Sequence, residues 1–298
     1  MPLFDVYVMV DWSAAATRKR GKDSIWIGAF ERHGSVLAQL ALENPETRSE
    51  ATERLCALLT RCLENGQRVL AGFDFPFGYP AGMCDRLGIN GLKWRHLWSL
   101  LSDRLEDGPD NANNRFVVGA HLNERLYAAP FPFWGHDGKH EGPFLTARKS
   151  RQHGDGDIAE RRLCEYRIRK TQPTWKLAYT GSVGGQALTG IPRVWQIRRD
   201  PRLAMDTHIW PFETGLEADD RPRVVLAEVY PSLIEPEDLE PLPKDAGQVT
   251  AIAKHFARLD SEEALAPLFA GDPSLSETER KAVVDEEAWI LGVTGASL

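Results

Sequence analysis

The stretch Val6-Tyr-Val-Met-Val-Asp-Trp-Ser13 carries five apolar residues in succession, closes on an acid and then breaks. An ionised carboxylate is costly beside a buried strand unless it is paired or holds a cation, and ligand sites in α/β sheets lie at the carboxyl ends of strands. The chain repeats this arrangement twice: Asp74 stands in Ala71-Gly-Phe-Asp-Phe-Pro-Phe-Gly-Tyr-Pro80, and Glu228 in Val225-Leu-Ala-Glu-Val-Tyr-Pro231. For one acid alone, a cap on the following turn or a partner for an arginine is the better explanation. Three acids in equivalent places favour a shared site. We expect the ends of the Asp11, Asp74 and Glu228 strands to converge.

Working outward, Ser24 to Phe30 and Ser35 to Leu42 are rich in β-branched and aromatic residues and flank a His33-Gly34 turn. With the first strand they predict an antiparallel meander. Thr47 and Glu50 form a capping-box pattern, and Leu55, Leu58, Leu59, Cys62 and Leu63 recur at helical spacing until Asn65-Gly66. Arg68 to Phe75 then reads as a strand halted by Pro76 and Pro80, and Val224 to Tyr230 as another halted by Pro231. Helices are expected from about Gln248 to Leu259 and from Ser276, where Ser276 and Glu279 repeat the capping box. The fold class is α/β: a mixed sheet, antiparallel meander plus parallel strands, with flanking helices. Residues 1–298 read as one domain, with 80–221 as a long insertion between the Asp74 and Glu228 strands. Six of the nine tryptophans, Trp94, Trp98, Trp134, Trp175, Trp195 and Trp210, fall in that insertion, which argues mainly that it packs.

No apolar run is long enough to cross a membrane and the first residues lack a signal-peptide pattern, so a cytoplasmic protein is the expectation. Cys56, Cys62, Cys84 and Cys164 form no metal-binding or redox spacing and read as buried free thiols. The net charge of −7 disfavours a strongly basic nucleic-acid binder, yet 13 Lys and Arg against 5 Asp and Glu between Arg148 and Arg202 give that segment +8. Nucleic acid or another phosphate-bearing substrate is the partner it would suit.

Within it, Lys176-Leu-Ala-Tyr-Thr-Gly-Ser-Val-Gly-Gly-Gln186 offers small residues whose amides could cradle a phosphate, with Lys176, Thr180 and Ser182 as donors. A tight turn opening a helix explains the same residues. It is not a P-loop, because G-x-x-x-x-G-K-[ST] is absent. His121, His208 and His255 are candidate bases, but no nucleophile stands beside any of them.

The segments VDWSAA, SIWIGAF, GFDFPFGYP and LAEVYPSL together resemble the core motifs of the domain of unknown function 429 family, predicted ribonuclease-H-like nucleases. NNRFVVGAHLN, WKLAYTGSVGGQALTGIP, HIWPFET and DEEAWILGV are similar to a longer bacterial subgroup of it. The resemblance implies a ribonuclease-H-like sheet and a catalytic cluster of Asp11, Asp74 and Glu228, binding magnesium or manganese. The fourth acid would come from the C-terminal helix. There Asp285, Glu286 and Glu287 stand in succession about 100° apart, so they cannot all face one site; Asp285 is the narrow choice as metal ligand, with Glu286 close behind. Metal-dependent hydrolysis of a phosphodiester is the leading function. An actin-like or sugar-kinase-like phosphotransferase is the alternative, although one copy of the fold in 298 residues argues against it. A non-catalytic ligand- or partner-binding protein is the third reading.

Overall fold

The computed structural model describes residues 2–34, 36–168 and 171–295. Strands β1 (Val6–Asp11), β2 (Trp26–His33) and β3 (Val36–Glu43) are followed by α1 (Arg48–Glu64), β4 (Val69–Phe73), α2 (Met83–Arg86), α3 (Lys93–Arg104) and α4 (Arg115–Tyr127). Then come α5 (Val183–Arg199), β5 (Thr207–Ile209), β6 (Val224–Glu228), α6 (Lys244–Ser261) and α7 (Glu277–Ala282). The six strands form one sheet in the order β3-β2-β1-β4-β6-β5. β1 to β3 are an antiparallel meander, and β4, β5 and β6 run parallel to β1. The α/β class and the mixed sheet expected from the sequence are present.

Both faces of the central strands are covered, which explains why β1 and β4 read as continuous apolar runs. Val6, Val8, Val10, Val69, Ala71 and Phe73 point to the side of α1, α3 and α5. Tyr7, Met9 and Leu70 point to the opposite side, where α6 lies across β1 and β2. Gly72 belongs to that second face, where a Cβ would stand 2.5 Å from the Met9 sulfur.

The meander turns at His33-Gly34, with Gly34 at a φ of +62°; Ser35, the expected start of the third strand, lies outside the described residues. At α1, Thr47 accepts from the Glu50 amide, but the Glu50 carboxylate returns to the amide of Glu46, one residue earlier than a standard box. The Ser276–Glu279 box closes in both directions. The stretch 80–221 contributes to the same apolar cluster as β1 and α1, and its tryptophans are buried except for half-buried Trp134. It also supplies a strand the sequence did not reveal, β5, whose three residues extend the sheet beyond β6. All four cysteines are buried and unpaired. No helix among the described residues is long and apolar enough to cross a membrane.

Candidate functional site

β1 and β4 are parallel neighbours with Val10 opposite Phe73, so the next residue of each, Asp11 and Asp74, leaves the sheet at one level and on one face. Their carboxyl groups are hydrogen-bonded to each other. Asp74 is oriented by the Trp12 amide, which donates to its Oδ1 at 2.7 Å, while its own amide donates to the Val10 carbonyl. Burial is the largest influence on both acids. It pushes Asp74 up to about 7 and holds Asp11 well above the usual carboxylate range, where the Asp74 charge adds to the effect.

Asp245, in the first turn of α6, is the third acid of this corner, and the sequence reading missed it. Its charge raises the pKa of both Asp11 and Asp74; its own is raised by burial, and its Oδ2 accepts the Asp23 amide at 2.6 Å. The missed signal was Pro243, which stands immediately before the helix and favours a start several residues ahead of Gln248.

Glu228 does not join this corner. It lies opposite Phe73 in the register, so its side chain leaves on the face of Val10 and Phe73, away from Asp11 and Asp74. There Arg162 grips it with two hydrogen bonds of 2.6 and 2.7 Å, and the Phe77 amide donates to it at 3.0 Å. The three strand ends do lie side by side, as expected, while the third carboxylate points through the other side of the sheet.

The C-terminal acids fan apart because α7 gives way to a wider π turn over Val283–Glu287. Asp285 is half-buried and pairs with the exposed Lys281 at 2.5 Å. Glu286 accepts the amides of Gly82 and Cys84, and Glu287 those of Ala81 and Leu163. Glu286 and Glu287 fasten the 81–84 turn to the C-terminal segment, a structural use the resemblance did not imply. Among the described residues, no group of three or more His, Cys, Asp or Glu side chains is arranged to hold a metal ion.

The glycine-rich segment packs against the residues that follow Asp11. Gln186, in the first turn of α5, donates to the Trp12 carbonyl at 2.6 Å, and a Cβ on Gly185 would stand 3.4 Å from that of Ala14. Ser182 is the N-cap without a side-chain cap bond, and the Lys176 ammonium is turned onto the Thr180 carbonyl at 2.5 Å and lies over Trp134. The basic segment 148–202 is largely neutralised by ion pairs, within it and with acids elsewhere in the chain. Lys149 pairs with Glu160, Arg151 with Asp157, Arg193 with Asp107, Arg198 with Glu213 and Arg202 with Asp200. Arg169 and Lys170 lie outside the described residues. Of the histidines, His121 is 3.8 Å from Glu124, His208 is 3.9 Å from Asp219, and His255 lines an apolar cavity beside α6.

Comparison with known proteins finds no matching family model, no matching curated protein and no matching solved structure.

Proposed function

We propose that the chain is a metal-dependent phosphodiester hydrolase of ribonuclease-H-like fold, with Asp11 and Asp74 as its central acids and Asp245 at their rim. The observation that carries this reading is the pairing of two desolvated carboxyl groups at the ends of neighbouring parallel strands. Two such groups repel one another unless a proton or a cation lies between them. Magnesium and manganese suit hard oxygen ligands, and magnesium in particular is held by as few as one or two carboxylates, with waters or substrate phosphates completing its shell. The pair fits that requirement; Glu228, committed to Arg162, does not.

Asp11 and Asp74 would hold the ion, which when bound polarises a phosphoryl oxygen and acidifies water. The rest falls to the chain. Trp12 fixes the direction of Asp74, and the Asp23 amide fixes Asp245. Burial raises Asp245, and a carboxyl titrating closer to neutrality suits proton transfer to or from the reacting oxygens. The amino terminus of α5, seated against Trp12 and Ala14, buttresses the loop that leaves Asp11. The order β3-β2-β1-β4-β6-β5, with only the first hairpins antiparallel, supports the fold assignment.

The test is cleavage of single-stranded, duplex and branched DNA and RNA with magnesium or manganese. Asp11→Asn and Asp74→Asn should abolish cleavage, and retained cleavage by Asp11→Asn would overturn the reading.

One observation favours a second reading, a small-ligand binder. A cavity of about 880 Å³, within the range of ligand pockets, opens between α6 and the turn at Pro231–Leu233, lined by Tyr230, Leu233, Ile252, His255, Leu259 and Leu291. No acid lines it. If this is the functional site, Asp11→Asn leaves ligand binding intact and the wild-type chain cleaves nothing.

A further inference from the structure

The loop joining β1 to β2 leaves directly from Asp11 and contains Thr17-Arg-Lys-Arg-Gly-Lys22, four cations within five residues of a chain whose net charge is −7. It is not a loosely attached segment. Arg48, itself fully buried, donates to the carbonyls of Ser13 at 3.0 Å and Ala15 at 2.8 Å. Asn111 donates to the Thr17 carbonyl at 3.1 Å, the Lys19 amide donates to the Glu46 carbonyl at 3.1 Å, and the Gly21 amide donates to Asn44 at 2.7 Å. With the backbone pinned from within, the side chains go outward: Arg18, Lys19 and Arg20 are 60, 42 and 59% exposed.

Their pairings are loose and at the surface. Arg18 and Arg20 share Glu46 at 3.5 and 3.0 Å, and Lys19 reaches Asp23 at 3.8 Å. Exposed pairs of this kind are worth little and exchange readily for a better anion. Lys19 and Lys22 also lie close enough to Asp245 to lower its pKa against the burial that raises it. The charges of this loop therefore stand at the rim of the acidic corner, whereas most of those in 148–202 are neutralised elsewhere.

We propose that residues 17–22 are the polyanion-gripping edge of the site, with Arg18, Lys19, Arg20 and Lys22 binding successive phosphates of a nucleic-acid strand beside the acids. The proposal rests on the hydrolase reading for the role of the acids, though not for the binding itself. A lone phosphate does not suffice: from Arg18 to Lys22 the backbone reaches up to about 14 Å, more than one phosphate group spans, while each strand of a duplex presents a phosphate about every 3.4 Å of helix axis and a single strand likewise presents them in series. Several phosphates in a row match several cations in a row.

The experiment is a fluorescence-anisotropy titration of the full chain with labelled single-stranded oligodeoxythymidine over a series of salt concentrations. Wild type is compared with Lys19→Gln/Lys22→Gln and with a charge-matched control, Arg199→Gln/Arg202→Gln, at the other end of α5. Each phosphate contact on a single strand contributes about 0.7 to the slope of log K against log salt. The loop double should lower that slope by about 1.4 and weaken binding roughly 25-fold near 0.1 M salt, with the control within about twofold of wild type. A loop double that binds like wild type, a control that falls equally, no binding by wild type, or equal displacement of the probe by poly-glutamate overturns the proposal. A cleavage assay on wild type separates it from the hydrolase reading, since binding without cleavage by wild type overturns hydrolysis and leaves the loop assignment standing.

Discussion

Replacing Arg162 with methionine removes the cation from a place where its partners are sealed in. The guanidinium donates to both oxygens of Glu228, at 2.6 and 2.7 Å, to Glu165 at 2.9 Å and to the Glu287 carbonyl at 3.0 Å. The side chains of Arg162, Glu165 and Glu228 are 1, 2 and 3% exposed. Methionine fills most of the aliphatic stem but leaves two buried carboxylates without a counter-charge. Breaking a buried pair from one side costs about 3 to 5 kcal/mol. With an unfolding entropy of roughly 2 cal/mol/K per residue, the 298 residues give about 0.6 kcal/mol/K, so 4 kcal/mol corresponds to a fall in Tm of about 6–7 °C. Burial already raises the pKa of Glu165, and losing the arginine raises it further. A carboxyl raised in the folded state loses stability as pH rises, so the penalty is larger at pH 8 than at pH 5. Urea denaturation at the two pH values, with calorimetry for Tm, measures this. A loss under about 1 kcal/mol at both would refute the assignment of Arg162 and Glu228 to a buried structural pair. Cleavage measured on Glu228→Gln adds the functional half: the activity should persist, because that carboxylate faces away from the acidic corner.

Two further outcomes follow from the same geometry. Asp74 is pushed up to about 7 in the folded chain, so the stability it contributes is fully present below its unfolded value near 3.8 and is lost as pH rises through 7. Asp74→Asn should flatten denaturation curves across that window, by at most on the order of 4 kcal/mol, while cleavage disappears; an unchanged pH dependence would count against the paired acids. Gly184→Ala would place a Cβ 2.2 Å from the Thr174 carbonyl oxygen and 2.7 Å from that of Lys176, so urea denaturation should show a loss of about 1–3 kcal/mol or more, and a variant as stable as wild type would show that this contact is not tight.

What was legible in the sequence was local. Strand ends announce themselves through an apolar run, an acid and a break in the pattern, so Asp11 and Asp74 could be named, and the helix caps at Thr47 and Ser276 were readable from residues three apart. That the Glu228 side chain leaves on the opposite face from Asp11 and Asp74 could be read from no single strand. Its face depends on the register between β4 and β6, and its partner Arg162 lies 66 residues away. Asp245 escaped because the apolar periodicity of α6 begins later than the helix, whose first turn is set by Pro243. β5 has too few residues to show an alternating pattern. The segment 148–202 looked basic because a charge count along the chain cannot see Asp107, Glu213 or Glu228 folding back onto it. The shorter cluster at 17–22 is set near Asp245 by where β1 ends.

In the proposed site Asp11 and Asp74 share one cation. Crystals of the full chain soaked in manganese, with anomalous scattering recorded, test it most directly. A peak within bonding distance of both carboxylates, on the α6 side of the sheet, is the expected result. A peak beside Glu228, or none near Asp11 and Asp74 at manganese concentrations that support cleavage, would contradict it.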